Sequence, residues 1–185
     1  MAGTPPDFTE HTLSSRTVYR GQLLHVLEDR VSLPDGRATT REYVRHPGAV
    51  MIAALADGGQ VLLERQFRYA LQGHFYELPA GKMEPGEDPF ATAQRELAEE
   101  TGYRAEHWRH LATLHPCLGY SDERIELYFA RGLSHVGHAR DDEEFLEVLL
   151  TPLAEALQWV KGGRITDIKT MIGLMWAEKI VNGEW

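Results

Sequence analysis

Residues 81–103 read GKMEPGEDPFATAQRELAEETGY, a loop followed by one helix. Asp88 followed by Pro89 is a helix start, with an aspartate at the cap and proline at the first helical position. Gly102 is the stop. Between them Phe90, Ala93 and Leu97 recur at helical spacing and predict a buried stripe. Glu96, Glu99 and Glu100 fall at i, i+3 and i+4, within about 100° of one another and beside that stripe. Like charges at this spacing cost an isolated helix about 0.2–0.5 kcal/mol per pair. A hard cation would turn the repulsion into ligation, and carboxylate oxygens suit Mg²⁺ or Mn²⁺. Taken alone, Glu-x-x-Glu-Glu is more often a solvated acidic face.

The residues around it change that weighting. Gly81, five residues, Glu87, seven residues, then Arg95-Glu96-Leu97-x-Glu99-Glu100-x-Gly102-Tyr103 fill a fixed pattern. Seven fixed residues at ordinary usage recur by chance on the order of once in a hundred million starts. In this pattern the chain resembles the Nudix hydrolases. Tyr103 stands where an aliphatic residue is commoner and still fills an apolar slot. The resemblance implies a Nudix-type α/β/α sandwich around a mixed sheet, with an N-terminal antiparallel hairpin. It implies hydrolysis of a nucleoside diphosphate linked to another group. It also implies Mg²⁺, with Mn²⁺ a possible substitute, held by Glu96 and Glu100, then Glu99 and the Ala80 carbonyl. Arg95 would hold the glutamates, Glu87 would support the loop or that arginine, and Gly81 would permit a backbone approach that a Cβ forbids. The general base is expected outside the motif, on a loop before the last strand. Asp141-Asp142-Glu143-Glu144 has that placement, with Glu144 favoured, then Glu143.

Four further stretches resemble the ADP-ribose pyrophosphatase branch: His46-Pro47-Gly48-Ala49-Val50, Glu64-Arg65-Gln66-Phe67-Arg68, Glu77-Leu78-Pro79-Ala80-Gly81, and Gly119-Tyr120-Ser121-Asp122-Glu123-Arg124. Gly163, Ile165, Asp167 and Thr170 extend it, so the resemblance covers most of the chain from about residue 40. It implies that Arg68 contacts the diphosphate, that Glu123 contacts the terminal ribose, and that Glu77 belongs to the substrate side. Arg41 and Arg45 would reach across a homodimer interface, and they are equally well read as charges on a strand edge. Leu118 departs from the branch, which usually places proline before Gly119; here the proline is Pro116. That keeps GDP-mannose or another nucleotide sugar as an alternative to ADP-ribose. A non-catalytic nucleotide-sugar sensor is disfavoured because every acid of the motif is present.

The rest of the chain fits that frame. The 185 residues are 43% hydrophobic, enough for one globular body with a short appended segment. The longest apolar run, Ala49 to Ala56, is too short to span a bilayer. The N-terminal segment lacks the basic and apolar regions of a signal peptide. Cys117 is the only cysteine, so no intrachain disulfide forms and a cytoplasmic setting is expected. Residues 81–103 and 140–147 each carry a net −4 of the total −9. Two acidic foci suit cations and give no footprint for nucleic acid. None of the nine histidines has paired metal spacing.

Residues 1–12 read as a flexible tail, 13–47 as N-terminal strands and the expected dimerisation element, and 48–185 as the hydrolase domain. The turn Leu33-Pro34-Asp35-Gly36-Arg37 separates a strand or two over 17–33 from a return over 38–46. Ala49–Leu55, Gln60–Phe67, Ala105–His115, Arg124–Ala130 and Phe145–Leu150 read as strands. Thr151-Pro152 opens a helix. Thr166-Asp167 caps a last one, with Ile168, Met171, Ile172, Met175 and Ile180 expected inward. Tyr19, Tyr43 and Phe67 are candidates for stacking on a base, each more commonly a sheet or core residue.

Overall fold

The computed structural model describes residues 4–137 and 145–185. The chain divides into two compact units. One comprises the residues up to His46 together with Cys117–Glu123, and the other comprises Pro47–Pro116 and Arg124–Trp185.

The first unit is an antiparallel sheet of three strands, β1 (His11–Arg20), β2 (His25–Ser32) and β3 (Ala38–Arg45), in that order. The expected Asp-Gly turn joins β2 to β3. Leu33 N–H donates to the Arg37 carbonyl at 2.7 Å, and Gly36 sits at φ 85°, a conformation glycine adopts without cost. A second turn, closed by Gly21 N–H to the Leu24 carbonyl at 2.8 Å, splits the stretch read as 17–33. The strand before it begins at His11, inside the segment read as a tail. Residues 117–123 run alongside β3: Val44 donates to the Tyr120 carbonyl at 2.8 Å, and Asp122 donates back to the Val44 carbonyl at 3.2 Å.

The second unit is built on a seven-stranded sheet. Its strands are β4 (Ala49–Ala56), β5 (Gln60–Arg68), β6 (Gly73–Glu77), β7 (Ala80–Lys82), β8 (Tyr103–Leu114), β9 (Ile125–His135) and β10 (Leu146–Pro152). The main path runs β10-β5-β4-β9-β8, with β6 on β5 and β7 on β4. Only the β4–β9 pair is parallel among the described pairings, so the sheet is mixed. β4 (AVMIAALA) has no polar side chain because both its faces are covered. Met51, Ala53 and Leu55 point into a core with helices α2 (Leu153–Lys161) and α3 (Ile168–Val181). Val50, Ile52 and Ala54 point into the opposite core, with α1 (Pro89–Thr101). The α/β/α sandwich follows from that alternation.

Helix α1 starts and stops as its sequence requires. Asp88 Oδ1 accepts from Phe90 and Ala91 N–H at 3.0 and 3.1 Å, and Gly102 closes the helix at φ 74°. Ala93 and Leu97 are fully buried, whereas Phe90 is 39% exposed. Phe90 lies in the first turn and packs edge-on against Trp108, 5.6 Å between centroids. Three other expectations are corrected. Phe145 lies outside β10 and is exposed. Pro152 ends β10 and caps α2 without a side-chain hydrogen bond. In α3 Ile168 and Met175 face solvent, and the buried face is Thr170, Gly173, Leu174 and Ala177. A helix apolar almost all round gives no periodic cue to its inner face. Close approach decides it: a Cβ on Gly173 would lie 2.4 Å from Leu78 Cδ1. Among the described residues no helix is long and apolar enough to cross a membrane.

Candidate active site

Arg95 organises the acidic motif. Its Nε and Nη2 donate to Glu87 Oε1 and Oε2, both at 2.9 Å, in a bidentate fork. Its Nη1 donates to Glu96 Oε1 at 2.9 Å and to Glu99 Oε2 at 3.0 Å. One guanidinium therefore holds three carboxylates. The Arg95 hydrogen bonds, with the Glu84 N–H adding to them, lower the Glu87 carboxyl to about 2. The Glu87 hydrogen bonds in turn raise the Arg95 guanidinium above its ordinary value.

Glu96 and Glu100 are buried, 9% and 7% exposed, while Glu99 is half-exposed. Glu100 Oε2 accepts from the Ala80 N–H at 3.1 Å. Gly81 leaves the space that Glu96 occupies: a Cβ there would fall 1.9–2.4 Å from the Glu96 carboxylate. The Glu96 and Glu100 carboxylates are thus drawn together against the β7 backbone. This is a donor set of the kind hard divalent cations select. Among the described residues no three His, Cys, Asp or Glu side chains are gathered closely enough to hold a metal ion by themselves. Arg95 already engages Glu96 and Glu99, so the oxygens are shared between guanidinium and site.

The segment leading into the motif is pinned at each residue. Arg68 Nε and Nη2 donate to Glu77 Oε1 and Oε2 at 2.6 and 2.8 Å. Lys169 Nζ donates to Glu77 Oε2 at 2.6 Å and to Asp167 Oδ2 at 2.9 Å. Leu78 N–H donates to Thr170 Oγ1 at 2.9 Å, and the Pro79 carbonyl accepts from Ile52 N–H at 2.9 Å. Burial pushes the Glu77 carboxyl up, but the Arg68 hydrogen bonds and the Lys169 charge outweigh it and leave the group at about 2. Lys169 was not foreseen. It meets Glu77 across 92 residues of sequence, and no local pattern marks such a pair.

Arg41, Arg45 and Glu123 belong to the first unit. Arg41 forks onto Glu10 at 2.9 and 2.6 Å, Arg45 lies 3.7 Å from Asp122 and stacks on Tyr43, and Glu123 lies 4.0 Å from His46. Leu118 is 81% exposed, and Tyr19 and Phe67 are also exposed. Glu143 and Glu144 lie outside the described residues.

Residues 44–170 match the family described as NUDIX domain. This chain belongs to the NUDIX family. Residues 10–44 match the nucleoside diphosphate sugar hydrolase N-terminal domain. As a Nudix hydrolase it has full-length relatives with different names. It is 40% identical to the methanol dehydrogenase activator of Bacillus methanolicus, covering 92% of this chain and 94% of that one. It is 36% identical to the ADP-ribose pyrophosphatase of Bacillus subtilis, covering 91% and 92%. A GDP-mannose pyrophosphatase of Citrobacter koseri is 33% identical over 70% and 72%. The crystal structure of an ADP compounds hydrolase, 22% identical, superposes with a TM-score of 0.87 over 98% of both chains and shares the fold. Nudix hydrolases generally require a divalent metal, and the oxygen donors around Glu96 and Glu100 fit one.

Glu77 carries a pH signature. Its folded value of about 2 lies below the ordinary 4.5, so its contribution is complete above pH 4.5 and is lost as pH falls from there to about 2. At about 1.4 kcal/mol per pH unit, discounted for the half-exposed Arg68, it amounts to on the order of 2 kcal/mol. Urea titrations across this window are expected to show a shallower fall in unfolding free energy for Glu77→Gln than for wild type. The slope that persists in the variant belongs in part to Glu87, held equally low. Equal slopes would refute the assignment.

Proposed function

We propose that this Nudix hydrolase cleaves the diphosphate of ADP-ribose, giving AMP and ribose 5-phosphate, with Mg²⁺ as the working ion and Mn²⁺ as a substitute. The carrying observation is the pairing of the acidic motif with Arg68 held by Glu77, in a chain 36% identical to an ADP-ribose pyrophosphatase along nearly its whole length. The N-terminal match to a nucleoside diphosphate sugar hydrolase domain supports the same substrate class.

Glu96 and Glu100 are the first ligands in this reading, with Glu99 and the Ala80 carbonyl completing the set. Bound divalent ions would neutralise diphosphate charge and acidify an attacking water. Arg95 keeps Glu96 and Glu99 aligned, and Glu87 fixes Arg95. Arg68 binds the diphosphate, and Glu77 acts through it rather than on substrate, because its oxygens are already engaged. Glu123 is assigned to the terminal ribose. Glu144, then Glu143, is the assigned base that takes a proton from the water. Arg41 and Arg45 are assigned to substrate across a homodimer that shares the N-terminal strands. Sedimentation at assay concentration is expected to report that dimer, and a monomer would refute it.

A second reading, cleavage of GDP-mannose, is favoured by Leu118 in place of proline and by the GDP-mannose pyrophosphatase relative. Product analysis in Mg²⁺ across ADP-ribose, GDP-mannose, NADH, diadenosine polyphosphates and capped RNA tests both. AMP and ribose 5-phosphate formed fastest from ADP-ribose is the expected result, and faster cleavage of GDP-mannose moves the specificity to the second reading. In the same assay Glu100→Gln is expected to abolish turnover while retaining a wild-type circular dichroism spectrum. Full activity would remove Glu100 from the metal site.

A further inference from the structure

A cleft of about 380 Å³ opens where β6 meets the start of α3, and Arg68, Leu71, Phe75, Glu77, Asp167 and Lys169 are among the residues lining it. On one wall four charged side chains alternate in sign: Arg68, Glu77, Lys169, Asp167. Glu77 is 5% exposed, and its two oxygens accept three charge-assisted hydrogen bonds, two from Arg68 and one from Lys169. Lys169 is itself held by Asp167 at 2.9 Å, and Asp167 Oδ2 also accepts from the Thr170 N–H at 3.0 Å to cap α3. The lysine side chain is 18% exposed and the Arg68 side chain 45%. Arg68 is therefore the cation that faces incoming solute, and Lys169 is the one behind it.

This arrangement has an electrostatic consequence. With Lys169 present the four groups sum to zero, and the Glu77 charge is divided between two cations. Without Lys169 the group carries a net negative charge, and Glu77 falls wholly on Arg68. An anion approaching Arg68 would then meet an uncompensated, poorly solvated carboxylate behind the guanidinium. The lysine also holds Glu77 Oε2, the oxygen that accepts from Arg68 Nη2, which keeps the bidentate fork in one orientation.

We propose that Lys169 is a positioning residue for substrate recognition. By sharing the Glu77 charge it keeps the Arg68 guanidinium oriented and electrostatically available to the substrate diphosphate. The inference rests on the diphosphatase reading above and assigns Lys169 no contact with substrate.

Steady-state kinetics of wild type, Lys169→Met, Lys169→Arg, Arg68→Met and the double variant Arg68→Met/Lys169→Met test it, on the diphosphate substrate that wild type turns over fastest. Lys169→Met is expected to raise KM about tenfold with a smaller change in kcat. Lys169→Arg, which keeps the charge, is expected to return KM to within about threefold of wild type. In the Arg68→Met background the lysine substitution is expected to raise KM by clearly less than its roughly tenfold effect in wild type, the remainder coming from the bare Glu77 carboxylate, because two residues acting as one unit are not additive. An unchanged KM in Lys169→Met would overturn the proposal. So would full additivity, which would make the lysine an independent substrate contact. A loss of kcat that tracks a lowered Tm with KM unchanged would reduce it to a structural ion pair and overturn it too. Calorimetric binding of inorganic pyrophosphate to the same proteins reads the coupling without turnover. Non-additive weakening there supports the role of Lys169 even if no diphosphate substrate is cleaved, and additive or absent weakening overturns it.

Discussion

The acidic motif confines Glu87, Glu96, Glu99 and Glu100 to one loop and two helical turns, and Arg95 is the counter-charge that makes this compatible with a fold. Four of its five N–H donors go to Glu87, Glu96 and Glu99, and the fifth goes to the Lys82 carbonyl at 3.4 Å. A lysine would supply charge but no planar fork, and could not grip Glu87 with two parallel bonds while reaching the other two. Local repulsion is thus converted into geometry. Glu96 is pressed toward Gly81, Glu100 is tied to the Ala80 N–H, and the oxygens end up against backbone instead of splayed into solvent.

The five residues Glu77 to Gly81 transmit this order. Glu77 is gripped by Arg68 and Lys169, Leu78 by Thr170, Pro79 by Ile52, Ala80 by Glu100, and Gly81 is packed under Glu96. The partners come from β4, β5, α1 and α3, so the short passage from the end of β6 into β7 registers both helix layers against the sheet. Gly173 permits the tightest of these contacts by letting α3 close on Leu78. Arg68 and the glutamates of α1 in this way both engage one continuous piece of backbone.

Much of helix α1 was legible in advance. Asp88, Pro89 and Gly102 are local signals whose meaning depends only on the next few residues, and they behave as such. β4 was legible for a related reason, since a strand with no polar face has to be covered on both sides. Legibility failed where the deciding partner is distant. Phe90 sits in phase with Ala93 and Leu97 but over the rim of the sheet, so it stays partly exposed. In α3 Met171, Ile172 and Ile180 pack against the core as expected, but Ile168 and Met175 do not, because apolar residues lie on all sides of the helix and the fit of Gly173 and Leu174 to the sheet made the choice.

The sequence by itself determined the chemistry: three glutamates at helical spacing, an arginine beside them, a glycine at the loop and a composition suited to one α/β body. These are short-range facts, fixed by helical periodicity and side-chain type. Tertiary structure alone decided which charges meet. Lys169 reaches Glu77 across 92 residues, and Arg68 is paired by the same carboxylate. Arg41, by contrast, finds Glu10 within its own sheet unit. An ion pair between distant segments depends on where the sheet places its strands, and no periodicity in the chain encodes that.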